Sequence, residues 1–162
     1  MLKCFDSIQI LGKQNIFTDH PSTINHQTHN PSLMSFLSKL ELDGITYNVL
    51  ECRYNFIQPV DGTGKPKGMP KGGDIILTIE STGNAELLGW MLDHHQVKNG
   101  KIIFYRRDAM SKLQELTFEK AYCIEFSEHF NAVDSQPLQI EMRLAAKKFS
   151  INGAMHEKQW RE

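Results

Sequence analysis

The sequence has no apolar run long enough to cross a bilayer, which takes about 20 residues as a helix. Its first stretch, MLKCFDSIQILGKQNIF, is broken by Asp6, Gln9, Lys13 and Gln14, so it lacks the continuous apolar centre of a secretory signal. The expected place of synthesis and folding is the cytoplasm, with no signal peptide and no membrane insertion. Neither sign of charge dominates: 18 lysines and arginines face 19 aspartates and glutamates, a net of -1. That balance gives no bulk pull toward nucleic acid or an anionic membrane, and no nucleic-acid partner is expected. Cysteine is scarce. Cys4, Cys52 and Cys123 are odd in number and far apart, which argues against a disulfide framework and offers no metal-ligand spacing. Cys52 and Cys123 fall in strand-like stretches and read as buried, inert thiols.

What is present fits one domain. A chain of 162 residues is long enough to bury a core without staples. The composition changes near Met34. Before it runs TDHPSTINHQTHNPSL, polar, prolyl and without period, so residues 1–33 read as a polar N-terminal extension, disordered or upstream of the native start. His20, His26 and His29 lie there without fixed geometry for a metal. Residues 34–162 form the expected folded domain.

From Met34 the apolar period is mostly two, the mark of strands. Phe36, Leu40 and Leu42 lead to Asp43-Gly44, a hairpin signal. ITYNVLECRYNFIQPV reads as a long strand. The segment DGTGKPKGMPKGG that follows reads as a long, basic, flexible loop that orders on a partner. DIILTIES is a strand. The period then lengthens, and a helix over about residues 84–96 is expected, capped by Asn84 or Thr82 with Glu86 in its first turn. Its inward stripe is Leu88, Met91, Leu92 and His95, widened by Leu87 and Trp90, and Asn99-Gly100 stops it. KIIFYRRD, QELTFEKAYCIEFSEHF and PLQIEMRLAAKKFSING are three more strands. Leu116, Phe118, Tyr122, Ile124 and Phe126 are expected on one face of the second; Leu138, Ile140, Met142 and Leu144 on one face of the third. About six long strands and one helix predict a mainly β fold, a closed or two-sheet antiparallel β-barrel with the helix packed on it.

No catalytic constellation emerges. In LLGWMLDHHQ, His94 and His95 are neighbours, so on a helix they point about 100° apart, whereas zinc helices use histidines four residues apart. Helix-terminal histidines that favour the dipole account for them. GTGK falls short of a phosphate loop, because Pro59 stands where its first glycine belongs and Pro66 follows Lys65 in place of Ser or Thr. Arg106, Arg107 and Asp108 sit at a strand end and read as an ion pair or a subunit contact. No catalytic residue, cofactor or metal is expected. A hydrolase built on His95, Asp93 and Arg106 would need a pocket where they converge. A ligand-binding barrel or sandwich, such as a carbohydrate-binding module, would need an exposed aromatic platform, and most aromatics here fall on core-facing positions.

The ordered series MSFLSKLELDGITYNVLECRYNFIQPVD, GKPKGMPKGGDIILTIEST, LLGWML and GKIIFYRRDAMSKLQELTFEKAYCIEF resembles the tube protein of type VI secretion, the haemolysin-coregulated protein Hcp (TssD), in its Bacteroidetes branch. The likeness runs from Met34 to the end and leaves out residues 1–33. It implies a non-enzymatic structural protein: a β-barrel with one helix, six copies in a ring, and rings stacked into a hollow tube. It also implies a contractile sheath, a spike of the valine-glycine repeat protein, effector proteins as cargo, and export through the apparatus. It further implies that the glycine-rich loop reaches the adjoining ring, with Lys65, Lys67, Met69 and Lys71 as candidate contacts.

Overall fold

The computed structural model describes residues 36–107, 111–133 and 137–160. The extension at residues 1–33 and Asp108 lie outside the described residues. In chain order the elements are β1 (Ser38–Leu42), β2 (Ile45–Ile57), β3 (Lys71–Glu80), α1 (Glu86–Leu92), β4 (Lys98–Tyr105), β5 (Lys112–His129), β6 (Gln139–Ile151) and β7 (Ala154–Glu157). This is the expected order with one more short strand. All pairings are antiparallel. Neighbours run β3-β2-β1-β4-β5-β6-β7, and β3 also pairs with β6. The first six strands therefore close into a barrel. Along one edge β6 serves two neighbours, with residues 139–145 on β3 and 148–151 on β7.

Local chemistry sets the hairpins. Leu42 and Ile45 pair across Asp43-Gly44, whose φ angles are 50° and 81°. Two positive φ angles make the tight turn whose twist matches the strands, and Asp-Gly adopts it at low cost. Asn152-Gly153 repeats it at 46° and 91° between Ile151 and Ala154. The strand read from PLQIEMRLAAKKFSING thus ends at this Asn-Gly, and β7 is the return arm.

The core follows the alternation of β3 and β6: Ile75, Leu77, Ile79, Ile140, Met142 and Leu144 are buried. On β5 the expected face holds from the start through Leu116 and Phe118, and it returns at Phe126, which packs against the core after a second slip between Cys123 and Glu125. Between them Ala121 and Cys123 point inward, and Ile124 is 41% exposed. The cause is a bulge. Lys120 has φ 50°, its amide donates to Asn99 Oδ1 at 2.8 Å, and the β4–β5 register slips between Lys98 and Gly100. One extra residue exchanges the two faces of a strand. Gly100 lies inside β4, not at a helix stop. A Cβ there would stand 2.5 Å from Phe118 Cζ and 2.9 Å from the Glu41 carbonyl. Burial pushes the Cys52 thiol up to about 12, with Glu51 adding to it, and the Cys123 thiol up to about 11. Both stay protonated near neutral pH, as inert thiols should.

α1 is shorter than expected and turned about its axis. Leu87 and Trp90 are buried and Met91 packs against the core, an inward stripe at i, i+3 and i+4. Leu88 is 40% and Leu92 75% exposed, so these two do not pack on the barrel as their spacing suggested. Trp90 decides the orientation: the largest apolar side chain goes inward, and its indole N–H donates to the Gln96 carbonyl at 3.1 Å. The helix ends at Leu92 because Asp93 turns to extended backbone and its carboxylate accepts the His95 amide at 2.9 Å, a local bond that competes with helix. His94 and His95 therefore lie in the turn beyond the helix, not in its last turn. At the other terminus the N-cap position is Ala85, without a side-chain cap bond, and not Asn84 or Thr82; Asn84, one residue earlier, accepts the Glu86 amide on its Oδ1 at 3.2 Å.

A glycine pair shapes the start of β3. Gly72 has φ 139°, and a Cβ on it would lie 2.2 Å from the Asn55 carbonyl oxygen and 2.8 Å from Phe56 Cα. Both are backbone atoms and cannot swing away. Gly72→Ala is therefore expected to cost about 2–4 kcal/mol in backbone strain and crowding, read as a lower midpoint in urea. An unchanged midpoint would contradict the close approach.

Candidate assembly surfaces

The strand directions sort the connections between two ends of the barrel. β2 runs out to Ile57 and β3 returns from Lys71; β4 leaves and β5 returns near Tyr105 and Lys112; β6 turns into β7 at residues 152–153. These share one end. The Asp43-Gly44 turn, α1 and the β5–β6 connection occupy the other.

Residues 58–70 form a tongue on the first end, and it is ordered by its own bonds. Asp61 Oδ1 accepts from the Thr63 amide (2.8 Å), the Thr63 hydroxyl (2.7 Å) and the Lys65 amide (3.1 Å). These bonds, the Thr63 hydroxyl first, hold the Asp61 carboxyl below the usual carboxylate range. The Asp61 amide donates to the Lys65 carbonyl at 2.8 Å and the Lys67 amide to the Pro59 carbonyl at 2.7 Å, and Val60 and Pro66 form an antiparallel bridge. The flexible loop expected from glycine and proline content is thus a small hairpin, because one carboxylate gathers three donors. Lys65, Lys67 and Met69 stand exposed on it, whereas Lys71 belongs to β3, paired with Ile57.

Arg106 and Arg107 follow β4 at the same end, both exposed. The Arg106 amide donates to the Ser111 carbonyl at 2.8 Å. The Arg107 guanidinium lies over the Phe36 ring, 4.6 Å from its centre. Among the described residues neither makes an ion pair. Asp93 and His95 lie at the opposite end, so the structure does not bring Arg106 to them. His94 and His95 stack on each other, ring centres 3.9 Å apart. Lys98 is buried beside Trp90 and held by Asp43 and, at 3.1 Å, Glu86. Burial pushes its ammonium pKa down, but the two carboxylates outweigh burial and leave it raised.

Unequal strand lengths leave two edges that sequence reading missed. β1 reaches β2 only as far as Asn48, and β2 runs on to Ile57 against β3 alone. β4 reaches β5 only as far as Ala121, and β5 runs on to His129 against β6 alone. Among the described residues, 49–57 and 122–129 each have one edge without a strand partner. Between them lies a four-stranded wall, β2-β3-β6-β5. Its outer face carries Glu51, Thr78, Glu141 and Ser127 in one row and Arg53, Ile76, Arg143 and Glu125 in the next. Arg143 pairs with Asp74 at 2.8 Å and Glu125 at 3.2 Å, and Lys158 also holds Asp74. Burial pushes the Asp74 carboxyl up, but bonds from Lys158 and Arg143 outweigh it and leave it below the ordinary range.

An apolar cleft of about 550 Å³ opens beside the tongue, between the end of β2 and the β6–β7 hairpin. Tyr54 and Phe56 rest on Phe149 with ring centres 5.2 and 5.1 Å apart, and Met155 forms part of the rim, 84% exposed. The hairpin was visible in sequence only as the Asn152-Gly153 signal.

Comparison with known proteins places this geometry. The family described as hemolysin coregulated protein Hcp (TssD) matches residues 34–161. No curated protein matches the sequence. Among solved structures, Hcp1 from Flavobacterium johnsoniae is 34% identical, with 76% of this chain and 100% of that chain covered and a TM-score of 0.72. The Hcp1 proteins of E. coli EAEC 042 and Salmonella typhimurium share the fold at 14% and 12% identity. They cover 77% and 76% of this chain and 98% and 92% of their own, each with a TM-score of 0.60. A closed β-barrel with one short helix, matched from residue 34 to 161 and aligned with the whole of a relative at 34% identity, belongs to the Hcp (TssD) family, the tube proteins of type VI secretion.

Proposed function

We propose that this chain builds the inner tube of a type VI secretion apparatus. Six copies close into a ring and rings stack into a hollow tube. A contractile sheath drives the tube, the valine-glycine repeat protein tips it, and effectors travel with it out of the cell. Subunits assemble in the cytoplasm and leave through the apparatus. The tongue meets the next ring, with Lys65, Lys67 and Met69 as its contacts, and Arg106 and Arg107 lie on the same contact surface.

The observation that supports this most is the pair of edges at 49–57 and 122–129. Unpaired backbone donors and acceptors are a liability for a monomer and a template for another chain. The four strands of the wall alternate in direction, so rotation about a common axis sets β5 of one copy antiparallel to β2 of the next. Each joint then satisfies both edges, and closure of the ring leaves none.

Mass measurement in solution at micromolar concentration tests the reading. The expected result is a six-subunit species, with rings visible by electron microscopy. A strict monomer at every concentration, with no rings on grids, contradicts it.

A further inference from the structure

We propose that the exposed leucine ridge of α1 seats in the apolar cleft beside the tongue of a second copy, keying one ring to the next by a helix in a groove. The inference rests on the tube reading and names a contact that the tongue does not make. Leu88 and Leu92 lie one helical turn apart on the same face. The helix is already anchored by Leu87 and Trp90, and folding leaves Leu88 40% and Leu92 75% exposed. An apolar pair at i and i+4 on a helix is what a hydrophobic groove accepts from a partner.

The groove is at the other end of the same barrel. Ile57, Phe56 and Met155 line it, and Ile57 is 64% exposed. Charge says which occupant fits. Lys65, Lys67, Lys71, Arg106 and Arg107 surround the tongue end, where Asp61 turns its carboxylate into its own hairpin. Asp43, Glu80, Glu86, Asp93 and Glu128 gather at the helix end and outnumber exposed Lys120 and buried Lys98 there. A basic end with a cleft and an acidic end with a ridge are complementary to each other and repel their own kind. Ridge and cleft sit on different surfaces of one chain, so the contact is heterologous. It repeats without closing, as a stack requires. The occupant is therefore a second copy of this chain.

The test is cross-linking between rings. A chain carrying Leu92→Cys with Met155→Cys, or Leu92→Cys with Ile57→Cys, is oxidised at micromolar concentration beside the matching single variants. The expected products of the double variants are covalent species at multiples of the ring mass, while single variants stay at one ring. Adding Leu88→Asp should lower the yield at least about tenfold, the effect of one desolvated charge in an apolar contact. Absence of ring-to-ring products from both double variants overturns the proposal, and if the wild type still forms rings the tube reading stands. Leu92→Asp that breaks the ring itself would place the ridge in the joint within a ring and likewise overturn the proposal. A wild type with no rings at all overturns the tube reading, separately from the ridge.

Discussion

Replacing Trp90 with alanine is expected to cost about 3–5 kcal/mol, the range for emptying a buried aromatic site. Trp90 is 1% exposed and among the largest fully buried side chains. It joins α1 to the barrel core, and its loss leaves the Gln96 carbonyl without the indole donor. Lys98, whose ammonium lies 6.0 Å from the indole centre, loses that apolar and π neighbour as well. Domains of this size are stable by about 5–15 kcal/mol in total, so the variant should melt roughly 10–15 °C lower. Leu92→Ala, only two residues along but exposed, should shift stability by no more than about 0.5 kcal/mol. Calorimetry at one fixed protein concentration reads both, since assembly raises the apparent melting temperature. Equal losses in the two variants would mean that the helix is turned the other way.

Replacing residues 58–70 with a two-residue Asn-Gly turn is expected to keep the ring and abolish stacking. Ile57 and Lys71 are paired, so a two-residue turn closes that hairpin in its natural register. The tongue's hydrogen bonds are largely internal to it, and it contributes nothing to the buried core. Its removal therefore leaves the barrel intact. What is lost is a projecting hairpin with Lys65, Lys67 and Met69 at its surface. Each lysine contact across a wet junction is weak and screened by salt. Six copies acting together multiply it, so ring-to-ring affinity should fall by at least about a hundredfold. Sedimentation at low and high salt separates the cases: wild-type stacking should weaken as salt rises, and the shortened protein should sediment as single rings throughout. Stacking of the shortened protein at wild-type strength would make the tongue a passive connection.

Nearest-neighbour chemistry determined much of this protein. Asp43-Gly44 set a hairpin because two positive φ angles suit that pair. β-Branched residues in DIILTIES marked one strand, and strict alternation in QIEMRL marked another with its inward residues. The change of period after Thr82 marked one helix, and glycine and proline marked Lys65, Lys67 and Met69 as members of a long basic loop. Scarce cysteine and balanced charge excluded whole classes before any fold was considered. Tertiary structure decided the rest, through partners distant in sequence. The face of α1 was ambiguous because Leu87, Leu88, Trp90, Met91 and Leu92 cover most of the helix circumference, and only the barrel core could choose Trp90. The inward face of β5 changed at Lys120 because a bulge depends on Asn99 across the sheet, which no periodicity within β5 encodes. The separation of Arg106 from Asp93 and His95 follows from strand direction. Among the described residues, the edges at 49–57 and 122–129 lack a strand partner because β1 and β4 are shorter than the strands they join. An edge is a relation between two strands, so it belongs to their pairing and cannot be read from either one alone.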